Sequence, residues 1–176
     1  MSWKKGNAEF VHSAIYDKQR ESLIKGQRPH TVVVSCSDSR LPPEIILSQL
    51  DLGQLFVVRT AGHVVDNAAY ESIKYAVDHL RPERILVIGH ESCGAVQAAI
   101  NGAKGFPTIV NAIRPAIKAI VRKYDLYSMD RASFLELVIA KHTANITADL
   151  KSRLKFQDIQ TLYYNLQTGI LDRISM

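Results

Sequence analysis

The sequence predicts an α/β fold: a single domain with a mostly parallel central sheet flanked by helices and a late antiparallel edge strand. Three observations carry that expectation. Short apolar runs rich in β-branched residues, TVVVS from Thr31, QLFVVR from Gln54 and RILVIG from Arg84, alternate with stretches whose apolar residues recur at helical spacing. Strand, helix, strand, helix, strand in that order implies parallel strands joined by right-handed crossovers. A length of 176 residues, 47% hydrophobic and 22% charged, suffices for one compact core and is short for two, so residues 1–176 are expected to form one domain.

Each element has a local reason. Residues 7 to 25 read as one helix, with Phe10, Val11, Ala14, Ile15, Leu23 and Ile24 as its apolar stripe and Gly26 as its stop. TVVVS is the first strand, PPEIILSQL a short helix opened by proline, and QLFVVR the second strand. DNAAYESIKYAVDHL places Ala69, Ile73, Ala76, Val77 and Leu80 on one helical face, and RILVIG is the third strand. After Cys93 the pattern is mostly helical, over 94 to 101, 108 to 125 and 131 to 152, with the break NGAKGFP read as a loop from its glycines and proline. IQTLYYNLQTGILDRI reads as a strand, a turn near Gly169 and a second extended run.

Composition excludes several classes of function. The net charge of +5 is spread along the chain, without basic runs, zinc-finger spacing or aromatic-basic interleaving, which argues against nucleic acid as a partner. No apolar stretch approaches the roughly 20 residues that cross a bilayer, and the opening MSWKKGNAEF leads into no apolar signal region, so a cytoplasmic protein that does not bind membranes is expected. Only two cysteines occur, Cys36 and Cys93, too few for a disulfide framework.

The chemistry gathers at the ends of the strands. Parallel sheets form sites beyond the carboxyl ends of their strands, and polar residues stand at three such ends. Cys36, Asp38 and Arg40 follow the first, Arg59 ends the second, and His90 and Cys93 follow the third in GHESCGA. Two thiols and an imidazole converging from neighbouring strands form a zinc constellation with a fourth position left for water or another side chain, Asp38 being the obvious claimant. Buried cysteines also serve as small hydrophobes, and an Asp-Arg pair can simply brace a loop. A closed structural zinc site would need a fourth Cys or His ligand, and the sequence sets an Asp-x-Arg pair beside Cys36 instead.

CSDSR, VVRTAG and GHESCGA together, in this order and spacing, resemble the motifs of the β-class carbonic anhydrases, and the similarity runs from KGQRP to LYYNLQTGIL. The resemblance implies one Zn2+ per chain bound by Cys36, His90 and Cys93, a catalytic dyad of Asp38 and Arg40, and a substrate pocket with Gln27, Phe56, Tyr75 and Gly94. It implies a homodimer or dimer of dimers built by exchanged N-terminal helices, with the N-terminal helix packing on a partner subunit and Gln27 reaching across the boundary. Two positions depart from the usual pattern, Thr60 where the family has asparagine and His63 where a small polar residue is common. His63 reads as a loop histidine or as a proton relay, since imidazole titrates near neutral pH. Some family members close the fourth zinc position with the aspartate and bind bicarbonate beside a tryptophan three residues before the first cysteine. Here that position is Val33, so an open site is expected.

The implied reaction is reversible hydration of carbon dioxide to bicarbonate and a proton by zinc-bound hydroxide. The motifs do not name the electrophile. A zinc hydrolase of a related heterocumulene, carbon disulfide or carbonyl sulfide, is the alternative, and a non-catalytic zinc or thiol protein is disfavoured by the Asp38 and Arg40 pair.

Overall fold

The N-terminal stripe forms two helices rather than one. In the computed structural model, which describes residues 2–125 and 127–174, α1 (Trp3–Val11) and α2 (Ala14–Leu23) are separated by His12 and an extended Ser13. The break is tolerated because Arg20 folds back and donates to the carbonyls of Phe10 and Val11, both at 3.2 Å, replacing partners that the interrupted helix would have supplied. Neither helix buries a residue, and Trp3, Ile15 and Ile24 are 77%, 71% and 80% exposed.

Five strands form one sheet in the order β2-β1-β3-β4-β5. β1 (Thr31–Cys36) is an interior strand and wholly buried, with β2 (Leu55–Thr60) and β3 (Arg84–His90) parallel on either side. β4 (Ile159–Tyr164) adds in parallel to β3, and β5 (Leu171–Arg173) closes that edge antiparallel, as the late turn in the sequence predicts. β1 and β2 are joined by the single turn of α3 (Pro43–Ile46), and β2 and β3 by α4 (Asn67–Tyr75), whose N-terminal amide at Ala69 is capped by Asp66 at 2.9 Å. α4 runs on into a wider helical turn, Ala76–Leu80, ended by Arg81 at φ 53°.

The chain therefore leaves β1 to one side and returns to the other, which makes the carboxyl ends of β1 and β3 the switch point where an open α/β sheet places its site. One face of the sheet, carrying Val32, Val34, Ile85 and Val87, packs on Ile73 and Ala76 and on Ile146 and Leu150 of α7 (Arg131–Leu154). Above the strand ends, α5 (Gly94–Ile100), α6 (Pro107–Lys123) and α7 close a second apolar cluster that includes both cysteines. No described helix is long and apolar enough to cross a membrane.

Candidate metal centre

Cys36 is the last residue of β1 and His90 the last of β3, so strand pairing brings their side chains to the same end of the sheet. Cys93 follows after a turn in which Ser92 takes a left-handed φ of 54°, and it is the residue before α5. The ligand atoms of Cys36, His90 and Cys93 lie within 4.8 Å of one another, all three residues are buried, and the two sulfurs are 4.0 Å apart.

These groups suit a zinc ion. The Glu91 carbonyl can only accept, so the His90 Nδ1 at 2.9 Å from it carries the proton, and the lone pair is left on Nε2. That Nε2 is buried and has no hydrogen-bond partner, an arrangement that costs free energy unless something electrophilic occupies the site. The hydrogen bond from Cys93 lowers the Cys36 thiol against the opposing effect of burial, and the amides of Asp38 and Gly62 act in the same direction. The same hydrogen bond, with burial and the charge on Cys36, pushes the Cys93 thiol up, while the amides of Ala95 and Val96 partly offset this. Two sulfur donors, deprotonated when a metal binds, and an imidazole form a soft set that favours zinc over hard cations.

Beside the sulfurs, Arg40 grips Asp38 through two parallel bonds, Nε to Oδ1 at 2.9 Å and Nη2 to Oδ2 at 2.8 Å, and its amide adds a third at 3.0 Å. These bonds hold the Asp38 carboxyl well below the usual carboxylate range, so the group stays ionised. Its side chain is 17% exposed and that of Arg40 54%, which leaves the pair at the mouth of the site.

Several supporting groups have partners that the motifs do not reveal. Arg59 clamps the loop after β1, donating from Nε to the Cys36 carbonyl at 3.0 Å and from Nη2 to the Asp38 carbonyl at 2.6 Å. The unusual Thr60 donates to the Val64 carbonyl at 2.7 Å and closes the turn over Gly62, whose amide donates to the Cys36 sulfur at 3.3 Å. Glu136 of α7 accepts from the Ser92 amide at 3.0 Å and from the Tyr163 hydroxyl, and Glu91 accepts from the Leu166 amide at 2.9 Å. The turn between His90 and Cys93 is thus fixed from both sides. The partners lie 44 and 75 positions away in sequence, so only the folded chain reveals them. His63 lies in the turn between β2 and α4, as a loop residue would, but not at the surface. It is fully buried, with its Nε2 against Thr143 at 3.1 Å, because the turn that carries it folds under α7.

The remaining expected site residues divide. Gly94 adjoins Cys93, and open space lies where a Cβ would project. Gln27 precedes β1 and lines a cavity of about 530 Å³ with Arg28, His30, His79 and Arg81 at the amino end of the strands. Phe56 pairs with Val32 and belongs to the sheet core, whereas Cys36 pairs with Thr60, a separation of about 13 Å along the strands at their usual rise. Tyr75 is 50% exposed and packs against His79. Within one chain, then, Gln27, Phe56 and Tyr75 do not reach the cysteines.

A family model described as carbonic anhydrase matches residues 31–171. A carbonic anhydrase of Mycolicibacterium smegmatis is 41% identical over 162 residues, covering 85% of this chain and 75% of that one. The chain belongs to the β-class carbonic anhydrases. Carbonic anhydrase 2 of Mycobacterium tuberculosis is 37% identical over 155 residues, 85% of this chain and 74% of that protein. Two solved structures share the fold. The Coccomyxa β-carbonic anhydrase in complex with acetazolamide superposes with a TM-score of 0.84 at 20% identity, covering 97% of this chain and 83% of that one. A tetrameric β-carbonic anhydrase of Sordaria macrospora gives 0.78 at 22% identity, covering 98% and 94%. β-Carbonic anhydrases are zinc enzymes, hydration of carbon dioxide is their general reaction, and this chain carries a Cys-His-Cys group suited to the metal.

Proposed function

We propose that the chain hydrates carbon dioxide reversibly to bicarbonate and a proton at one zinc ion held by Cys36, His90 and Cys93, with Asp38 and Arg40 as the catalytic dyad. The observation that carries this reading is the partnerless buried Nε2 of His90 facing two thiols, next to a carboxylate locked by Arg40. Zinc bound by these three residues would supply a Lewis acid and so hydroxide near neutral pH. Asp38 accepts a hydrogen bond from the attacking oxygen and so aims its lone pair at the carbon, and Arg40 keeps the carboxylate charged and prevents it from swinging onto the metal. The Asp38–Arg40 pairing supports the open form, and the space over Gly94 supports approach of a small linear substrate there.

Gln27, Phe56 and Tyr75 then serve the site of a second copy in a homodimer or dimer of dimers. Their distance from their own cysteines supports this, and so do the two N-terminal helices that bury nothing in their own chain. The cytoplasm is the proposed compartment. A reducing environment keeps two sulfurs 4.0 Å apart as metal-binding thiols rather than a disulfide.

The test is stopped-flow hydration of carbon dioxide on protein of measured zinc content, with carbon disulfide and carbonyl sulfide as parallel substrates. Hydration that scales with zinc is expected. Zinc-replete protein that leaves carbon dioxide untouched, or releases sulfide faster than it makes bicarbonate, would overturn the assignment.

A further inference from the structure

α7 sends two consecutive side chains, His142 and Thr143, beneath the turn that touches Cys36. Both are buried, and their hydrogen bonds settle which imidazole nitrogens carry protons. Thr143 donates its only hydroxyl proton to the Ile139 carbonyl at 2.8 Å, so its oxygen must accept from His63 Nε2 at 3.1 Å. The Gly62 carbonyl can only accept, which makes His142 Nε2 the donor at 3.1 Å. The two rings lie against each other with centroids 4.8 Å apart, both as neutral donors, and burial opposes a charge on either.

Between these two anchors the backbone is left-handed at Gly62, φ 67°, and at His63, φ 45°. A histidine adopts that conformation only where its surroundings hold it there. The outcome of the turn is the Gly62 amide aimed at the Cys36 sulfur at 3.3 Å. A donor on a metal-binding thiolate fixes its lone pairs and sets how much charge it gives the metal, as supporting hydrogen bonds do at metal sites generally.

We propose that His142 is a positioning residue of the metal centre: by donating to the Gly62 carbonyl, alongside the His63–Thr143 bond, it keeps the Gly62 amide on the Cys36 sulfur and so sets the zinc affinity of that thiolate. This rests on the reading of Cys36, His90 and Cys93 as the zinc ligands. The imidazole acts through the turn and touches neither metal nor substrate.

The test uses the full chain, with zinc affinity measured by competition against a chelator and the thiolate-to-cobalt absorption band measured after substitution with Co2+. His142→Gln retains an N–H at the reach of Nε2, His142→Asn stops short of the Gly62 carbonyl, and His142→Phe keeps a ring without a donor. The glutamine variant should stay within about threefold of the wild type, while asparagine and phenylalanine should lose about tenfold or more in affinity and shift the cobalt band. Should the phenylalanine variant fail to fold, the asparagine and glutamine pair, compared at native circular dichroism, carries the comparison. Equal affinities and an unmoved band in Asn and Gln variants of a tightly zinc-binding wild type would overturn this inference alone. A wild type that takes up no zinc would overturn the site assignment as well.

Discussion

Replacing Gly89 by alanine tests how closely α7 presses on the strand that carries His90. Gly89 does not have the left-handed backbone that favours glycine, so only space opposes a side chain there. A Cβ would sit 2.3 Å from Thr143 Oγ1 and 3.3 Å from Ile139 Cγ2. The Thr143 oxygen must retreat by about 1 Å to reach ordinary contact. It is buried on a packed helix and bonded to Ile139 and His63, so moving it breaks both bonds. Overpacking costs about 1–3 kcal/mol and a stranded His63 donor about 1–3 kcal/mol, offset by roughly 0.5–1 kcal/mol because alanine orders more cheaply than glycine. The net loss is about 3 kcal/mol, a large share of the roughly 5–15 kcal/mol that stabilises a typical protein. Urea unfolding of the zinc-loaded protein should show an earlier midpoint at unchanged slope. Combining Gly89→Ala with Thr143→Ala removes the clash, so the double variant should be more stable than additivity allows by about 1–3 kcal/mol. A Gly89→Ala protein within about 0.5 kcal/mol of wild type, or strict additivity in the cycle, would refute the reasoning.

Cys36→Ser and Cys93→Ser should each lose zinc and hydration activity together, since a hydroxyl is a far poorer ligand than a thiolate; metal analysis showing full occupancy in both would contradict the assignment. Asp38→Asn should keep its zinc yet lose roughly 100-fold or more in turnover, because the amide cannot replace the charged acceptor, and Arg40→Ala should fall in the same direction; stopped-flow rates on metal-replete protein decide this. Acid should destabilise the fold through His142, which burial lowers to about 4 from 6.5. Between those values the unfolded chain binds a proton that the folded chain refuses, so unfolding free energy falls as the pH falls, by about 3 kcal/mol near pH 4, and His142→Gln should show a flatter pH dependence at equal zinc. Removing residues 1–24 should leave a folded, zinc-binding core that sediments as a smaller species than the full chain; an unchanged assembly would dissociate the N-terminal helices from the subunit contact.

The parallel sheet, and the meeting of Cys36, His90 and Cys93 at one end of it, are readable because they rest on local pattern. Valine-rich strands that must be buried on both faces, followed at once by Cys36 or by His90 and Cys93, point to one end of one sheet whatever the details. The single N-terminal helix was misjudged for a local reason of another kind. The apolar spacing runs through His12 and Ser13, and nothing in it shows that Arg20 would satisfy the carbonyls of Phe10 and Val11 and so permit a break. The supporting groups were hidden because their partners are remote in sequence. Glu136, Tyr163 and Thr143 look like ordinary residues of a helix and a late strand until packing brings them to the turns at 92 and 63. Thr60 and His63 did stand out as departures from the family pattern, and both prove to hold the turn over Cys36.

The proposed zinc ligands come from two strand ends, with Cys36 separated from His90 and Cys93 by the whole of β2 and α4. That spacing has a consequence for how the protein is made. A compact Cys-x-x-Cys hairpin can capture its ion while the rest of the chain is still disordered, whereas here the third donor arrives only after β1 and β3 have paired. On that assignment, metal capture is a late event in maturation. Until it happens, a newly synthesised chain carries two thiols open to oxidants, so slow strand pairing would diminish the yield of active enzyme even where the final stability is unaltered.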